Sequence, residues 1–120
     1  MHPETRSVSL IFRVAAIYGV AALLPLYFIA VPDPYFLTQL GFAGVALAFQ
    51  GVFWVIARDP VRFHSIIPLG VLEKVSFGIP AVIFAALGKA EVTMAIFGSI
   101  DPILAAAFLW AFVRLRVTLV

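Results

Sequence analysis

The stretch YFLTQLGFAGVALAFQGVFWVIA, residues 35–57, contains no charged side chain. A helix of about 20 apolar residues, rising about 1.5 Å per residue, is long enough to cross the hydrocarbon core of a bilayer. The flanking segments, Pro32-Asp33-Pro34 before it and Arg58-Asp59-Pro60 after it, have the composition of turns. The stretch therefore predicts a transmembrane helix with sharp ends.

Three further segments, at about 8–31, 65–87 and 92–113, have similar length and apolar character. Because the connections between them are short, consecutive helices must lie side by side and antiparallel. We therefore predict an all-α fold in which residues 1–120 form one integral membrane domain. This domain is a four-helix bundle of up-down-up-down order, with helices at about 8–31, 35–57, 65–87 and 92–113.

The composition agrees with this fold and excludes several functions. Hydrophobic residues make up 64% of the chain and charged residues 12%, whereas a soluble domain carries roughly 25% charged residues. The eight basic residues are dispersed, so we expect the bilayer, and no nucleic acid, as a partner. The chain has no cysteine, which excludes disulfides and thiol chemistry. The first apolar run lacks a small-residue cleavage pattern, so no cleavable signal peptide is expected.

The basic residues outside the spans predict the orientation of the bundle. Five of them fall on one side: Arg6, Arg58, Arg62, Arg114 and Arg116. The opposite side carries only Lys89. Since basic loops stay in the cytoplasm, we predict that both termini are cytoplasmic and that the chain inserts in a single orientation.

Four charged residues interrupt the predicted spans and one glutamine lies at a similar depth, so that every helix contributes at least one of these five residues. They are Arg13, Gln50, Glu73, Lys74 and Asp101. Counted from the cytoplasmic helix ends, all five lie roughly 8–18 Å deep at 1.5 Å per residue. A charge at such depth costs several kcal/mol unless it is paired or hydrated. Their similar depth, and the balance of two positive and two negative charges, make these residues the candidate site for a ligand or ion.

The expected pairing follows from helix geometry. Glu73 and Lys74 point about 100° apart around their helix, so they are not expected to pair with each other. The simplest assignment joins Glu73 to Arg13 and Lys74 to Asp101, with Gln50 serving either pair. One interpretation is a neutral network that fixes helix register, and another is a ligand, proton or ion site. Arg13 can also extend to the headgroups instead, which would remove one partner.

Asp101-Pro102 lies in the middle of the fourth span and has two interpretations. Proline removes a backbone donor and clashes with the Gly98 carbonyl, which favours a kink. Aspartate followed by proline is also a helix-start signature. A break at this point, with a half-helix beginning at Asp101, is the alternative, and broken helices in transporters often mark binding sites.

Small residues recur at spacings of three and four along the second helix, at Gly41, Gly44, Ala48 and Gly51. Such a stripe lets another helix approach closely. Packing within the bundle is the favoured interpretation, and a homodimer interface is the alternative.

Signatures of enzymatic and metal sites are missing from the sequence. His2 and His64 have no second ligand at metal spacing. Neither a glycine-rich phosphate loop nor a Ser-His-Asp arrangement can be assembled. We therefore predict no catalytic residue, no metal and no cofactor.

Three stretches together resemble a known group of proteins: residues 17–28 with LPLYF at 24–28, residues 41–63 with RDPVRF at 58–63, and LEKVSFG at 72–78. They resemble small four-helix bacterial membrane proteins, loosely of the DoxX type. The part from the RDP turn to the Glu-Lys pair is the most specific. The resemblance implies the four-helix fold and the inner membrane of a bacterium, and it assigns no catalytic residue.

These observations lead to ranked functional hypotheses. The first is a non-enzymatic inner-membrane protein whose buried charge network specifies packing against a partner or binds a small hydrophobic or amphipathic ligand. The alternative is a small oligomeric transporter or channel coupled to protons or cations. The third is a membrane enzyme that uses Glu73 or Asp101 as acid or base. A homo-oligomer or another membrane protein are the candidate macromolecular partners.

Overall fold

The computed structural model describes residues 3–119, with side chains described as far as residue 116. This part of the chain forms four α-helices: α1 (Pro3–Leu23), α2 (Asp33–Arg58), α3 (Ile67–Ala86) and α4 (Val92–Leu119). Two 3₁₀ turns, Leu24–Tyr27 and His64–Ile66, adjoin α1 and α3. The predicted all-α fold of four helices is confirmed. All four helices are long and apolar enough to span a membrane, which indicates a multi-pass membrane protein.

The end of the first helix differs from the prediction. Helix α1 stops at Leu23 and tightens into a 3₁₀ turn, whereas the apolar pattern continues to residue 31. Pro25 explains the change, because it cannot donate the helical hydrogen bond and its ring clashes with the preceding turn. The Gln39 side-chain amide then donates to the carbonyls of Leu26 (2.6 Å) and Ile29 (3.2 Å). These bonds fasten the turn to α2.

Helix α4 is continuous from Val92 to Leu119 and passes through Pro102 without a break. The alternative of a half-helix beginning at Asp101 is therefore wrong. Pro102 has no backbone N–H, so it leaves the Gly98 carbonyl without its usual helical donor. The proline ring packs on α3, where a Cβ added to Gly78 would lie 2.9 Å from the Pro102 Cδ. The absent side chain at Gly78 thus makes room for the Asp101-Pro102 turn.

The buried apolar core occupies the half of the bundle next to the α2–α3 connection, which we call the core half. Its members come from the first part of α1, the last part of α2, the first part of α3 and the last part of α4. They are Val8, Phe12, Ala15, Ala16, Phe53, Ile56, Ala57, Ile67, Phe108, Ala111 and Leu115. The opposite half, next to the α1–α2 and α3–α4 connections, we call the cavity half.

Three fully buried phenylalanine rings form the centre of the core half. Phe12 stacks on Phe108 with 4.3 Å between ring centroids, and Phe53 meets Phe108 edge-on at 5.0 Å. Gly70 accommodates them, since a Cβ there would lie 3.0 Å from Phe53 and 3.3 Å from Phe108. We call Phe12, Phe53 and Phe108 the aromatic layer.

Close approach between helices occurs along α3 and α4. A Cβ added to Gly98 would overlap the Cβ of Ala81, so the two backbones approach more closely than ordinary side chains permit. The stripe of small residues on α2 does not play this part. All four of its residues are exposed, and no atom lies within 4 Å of a Cβ added to Gly41 or Gly51. The favoured interpretation, packing of this stripe within the bundle, is therefore wrong.

Candidate functional site

A cavity of about 300 Å³ lies in the cavity half, and all four helices line it. Most of its wall is apolar, and the charged and amide side chains gather at one end, whereas Thr93 lies at the other. Ligand-binding pockets in proteins are typically about 300–1,000 Å³, mainly apolar, with a few convergent polar groups. The cavity therefore has the size and chemistry of a small binding site.

The polar end of the cavity lies deep in the bundle, next to the core half. On each helix, the lining residue nearest the core half carries a polar group: Tyr18 on α1, Gln50 on α2, Glu73 (followed by Lys74) on α3, and Asp101 on α4. On α4 the lining residues extend from Thr93 to Asp101, a rise of roughly 12 Å along the helix. The cavity thus extends from a charged end at mid-bundle towards the α1–α2 and α3–α4 connections.

Lys74 is the centre of the charged end. Only 3% of the residue is exposed. Its Nζ lies 3.5 Å from Glu73 Oε2 and 3.9 Å from Asp101 Oδ1. The Phe53 ring of the aromatic layer lies 5.1 Å away, within range of a cation–π contact. We call Gln50, Glu73, Lys74 and Asp101 the polar cluster.

The predicted Lys74–Asp101 pair is present, but the pairing expected for Glu73 is wrong. Glu73 contacts its sequence neighbour Lys74, although the two Cα–Cβ bonds point about 100° apart. The long, flexible Lys74 stem overcomes that angle. It extends to a point between two carboxylates, one from its own helix and one from α4.

Arg13 lies outside the polar cluster. Its side chain is exposed on α1, and its guanidinium carbon lies 5.6 Å from the centre of the Trp54 ring. The buried face of α1 contains Phe12, Ala15 and Gly19, and residue 13 points about 100° away from residue 12. The expected Glu73–Arg13 pair is therefore absent, and the expected balance of charges is wrong. The cluster contains two carboxylates and one ammonium group.

Gln50 lies inside the bundle, with 2% of the residue exposed. Its Nε2 donates to the Ala46 carbonyl at 2.8 Å. Its Oε1 has no hydrogen-bond partner in the described structure. Glu73 Oε2 accepts no hydrogen bond there either, but it forms the ion pair with Lys74 Nζ at 3.5 Å. Gly19 makes room for this amide, because a Cβ there would overlap the Gln50 side chain. The polar cluster therefore contains one buried acceptor without a partner, Gln50 Oε1, and a second, Glu73 Oε2, that is held only by a long ion pair.

The aromatic walls of the cavity were not predicted from the sequence. Tyr18 faces Phe97 with 6.2 Å between ring centroids, and Phe42 faces Phe77 at 5.6 Å. The sequence contains a signal for two of these four rings. Phe77 follows Glu73 by four residues, and Phe97 precedes Asp101 by four, so each shares a helix face with a cluster residue.

Comparison with protein-family models, with curated proteins and with solved structures gave no match. The chemistry of the site must therefore be argued from its own residues. Among the residues that the structure describes, no three potential metal ligands come together. The cluster offers carboxylate and amide acceptors together with one engaged ammonium group. It is thus suited to hold the polar end of a molecule whose remainder lies between apolar walls.

Proposed function

We propose that this protein is a membrane-embedded binding protein for a small amphipathic molecule. One observation carries the proposal: a cavity of about 300 Å³ with apolar walls that ends in a buried polar cluster. The polar end of the cavity and its apolar walls are separated along the bundle axis. An amphipathic molecule aligned with that axis would match both.

The unsatisfied groups favour a ligand site over a network that serves packing alone. A buried charge network supports a fold only when its members are paired and hydrogen-bonded. Here, among the described residues, Gln50 Oε1 has no partner, and Glu73 Oε2 accepts no hydrogen bond although Lys74 Nζ lies 3.5 Å away. An incomplete network beside a cavity is expected of a binding site in which the ligand supplies the missing partner.

The dense packing of the core half favours a binding protein over a channel or transporter. The aromatic layer is fully buried and lies directly beyond Lys74. A channel or transporter coupled to protons or cations would need a path past these rings. Such a path would require them to move, which makes this function the second hypothesis.

The proposal predicts saturable labelling of the cavity by a light-activated alkyl probe. A medium-chain alcohol that carries a diazirine, irradiated with the protein in maltoside micelles, is expected to label cavity residues such as Phe77, Met94 and Phe97. Excess n-octanol should compete with this labelling, which mass spectrometry of peptides would locate. The substitution Ala46→Phe should abolish the competed fraction, because Ala46 is largely buried and lines the cavity.

The matched control is Ala48→Phe, which adds the same ring to the same helix at an exposed position. It should leave the competed labelling unchanged. Labelling of lipid-facing residues, which n-octanol should not compete away, gives the background. If all labelling is background, the proposed function is wrong.

We further propose that the protein resides in the plasma membrane of a bacterium, with both termini in the cytoplasm and a DoxX-like ancestry. Because the chain contains no cysteine, single cysteines can test the orientation without further changes. In intact cells, an impermeant maleimide should label Ala90→Cys, between α3 and α4. It should label Ser65→Cys, between α2 and α3, only after the cells are opened. Labelling of both positions in intact cells would contradict the single orientation.

A further inference from the structure

The polar cluster carries a formal charge of −1, since it pairs one ammonium group, that of Lys74, with the carboxylates of Glu73 and Asp101. Arg13, which would have restored neutrality, lies outside against Trp54. A net charge in a low-dielectric interior is costly unless a proton neutralises it or a partner of opposite sign reaches it. The cluster therefore favours an occupant that supplies a positive charge.

The hydrogen-bonding groups point to the same kind of occupant. Among the described residues, the two buried side-chain atoms that make no hydrogen bond, Gln50 Oε1 and Glu73 Oε2, are both acceptors. The orientation of the Gln50 amide is fixed, because the Ala46 carbonyl can only accept and so must face the Nε2 donor. The protein thus supplies no hydrogen-bond donor to these two acceptors, and an occupant that donates hydrogen bonds would satisfy them.

Lys74 does not saturate the carboxylates. Its distances to Glu73 and Asp101 are 3.5 and 3.9 Å, whereas a strong ammonium–carboxylate hydrogen bond measures about 2.7–2.9 Å. The ammonium group is shared between the two carboxylates and the face of Phe53. Both carboxylates therefore retain capacity for a second donor.

We propose that the ligand is a primary amine with one short apolar chain or ring system, bound as its ammonium ion at the polar cluster. This inference rests on the proposed function and adds the class of its ligand. The ammonium group donates to Glu73 and to Gln50 Oε1, and it neutralises the cluster. The apolar part extends between the aromatic walls, where the ring of Phe77, four residues from Glu73, is well placed to cover it. Fatty acids of the same length are excluded by charge.

The test compares three probes with identical chains: n-octylamine, n-octanol and n-octanoate at neutral pH. Each competes with the diazirine alcohol for labelling of the cavity, and the concentration that halves the labelling is measured. We expect n-octylamine to compete at about tenfold lower concentration than n-octanol, the size expected for a hydrogen bond to a charged group. We expect n-octanoate not to compete.

Glu73→Gln and Asp101→Asn isolate the effect of charge. Each leaves Lys74 with one carboxylate, so the cluster becomes formally neutral and the fold should be retained, which the melting temperature checks. Each should remove most of the preference for n-octylamine, measured in the same variant as the ratio between the half-competing concentrations of n-octanol and n-octylamine. The matched control is Glu4→Gln, the same change at a carboxylate in the core half that pairs with Arg114 at 2.9 Å. It should leave the preference unchanged.

The outcomes separate the two proposals. Equal competition by n-octanol and n-octylamine, or stronger competition by n-octanoate, overturns the amine assignment and leaves the binding site standing. A preference for n-octylamine that survives both Glu73→Gln and Asp101→Asn also overturns it. Failure of all three probes to compete overturns the proposed function itself.

Discussion

Replacing Lys74 with methionine is expected to lower the free energy of unfolding in detergent by about 3 kcal/mol, because it leaves two buried carboxylates without their cation. Methionine keeps the length of the apolar stem, so the change removes mainly the ammonium group. That group lies within 4 Å of both carboxylates. Reversible unfolding in mixed micelles, followed by circular dichroism, measures the loss.

Removal of the stranded charges should restore much of this stability. In the triple variant Lys74→Met/Glu73→Gln/Asp101→Asn, no formal charge remains in the polar cluster. Replacing a whole buried ion pair is often neutral, whereas removing one partner is costly. A triple variant as unstable as Lys74→Met would show that the Lys74 ammonium group acts through its contact with the Phe53 ring and not through the two carboxylates.

The matched control is Arg13→Met, the same loss of a cation at a similar predicted depth. Arg13 is exposed and contacts only the Trp54 ring among the interactions described for it. An exposed cation–π contact contributes at most about 1 kcal/mol, so the loss should not exceed that. If Arg13→Met costs as much as Lys74→Met, Arg13 belongs to the cluster after all.

The contrast between Lys74 and Arg13 shows how far the sequence can predict the site. Counting residues along each helix predicts how deep each one lies. The residues Gln50, Glu73, Lys74 and Asp101, which share a predicted depth, line one cavity. Rotation about the helix axis is a separate quantity. In a soluble helix the apolar stripe reveals it, but here apolar residues face lipid as well as the interior, so the pattern is weak. The count therefore predicts a similar depth for Arg13, but it does not reveal that Arg13 lies on an exposed face of α1.

The number and order of the helices are easier to predict from the sequence than the cavity. Span length and short connections determine the number and order of the helices, and α2 at Asp33–Arg58 lies within two residues of its predicted bounds. The cavity depends on how the helices pack in the cavity half. That packing depends on Pro25, which ends α1 early, and on contacts such as Gly98 with Ala81. Contacts of this kind are tertiary, and a single sequence does not encode them in any local pattern.

The second large effect is expected at the α3–α4 contact. Gly98→Ala should lower the free energy of unfolding by about 1–3 kcal/mol, as overpacking typically does. The added methyl group would overlap the Ala81 Cβ, and the Ala81 Cα lies in van der Waals contact with the same point. Neither atom belongs to a flexible side chain, so the two helices must separate. The same unfolding measurement in mixed micelles reports the loss.

A size swap tests whether this contact is the cause. In Gly98→Ala/Ala81→Gly the methyl group moves from α3 to α4, so the space for it is restored and most of the stability should return. Gly51→Ala is the matched control on α2, where no atom lies within 4 Å of the added Cβ. Alanine favours a helix over glycine by about 0.5–1 kcal/mol, so this variant should be as stable as the parent or more so. A loss at Gly51 that depends on protein concentration would instead identify the small residues of α2 as a contact between two copies of the chain.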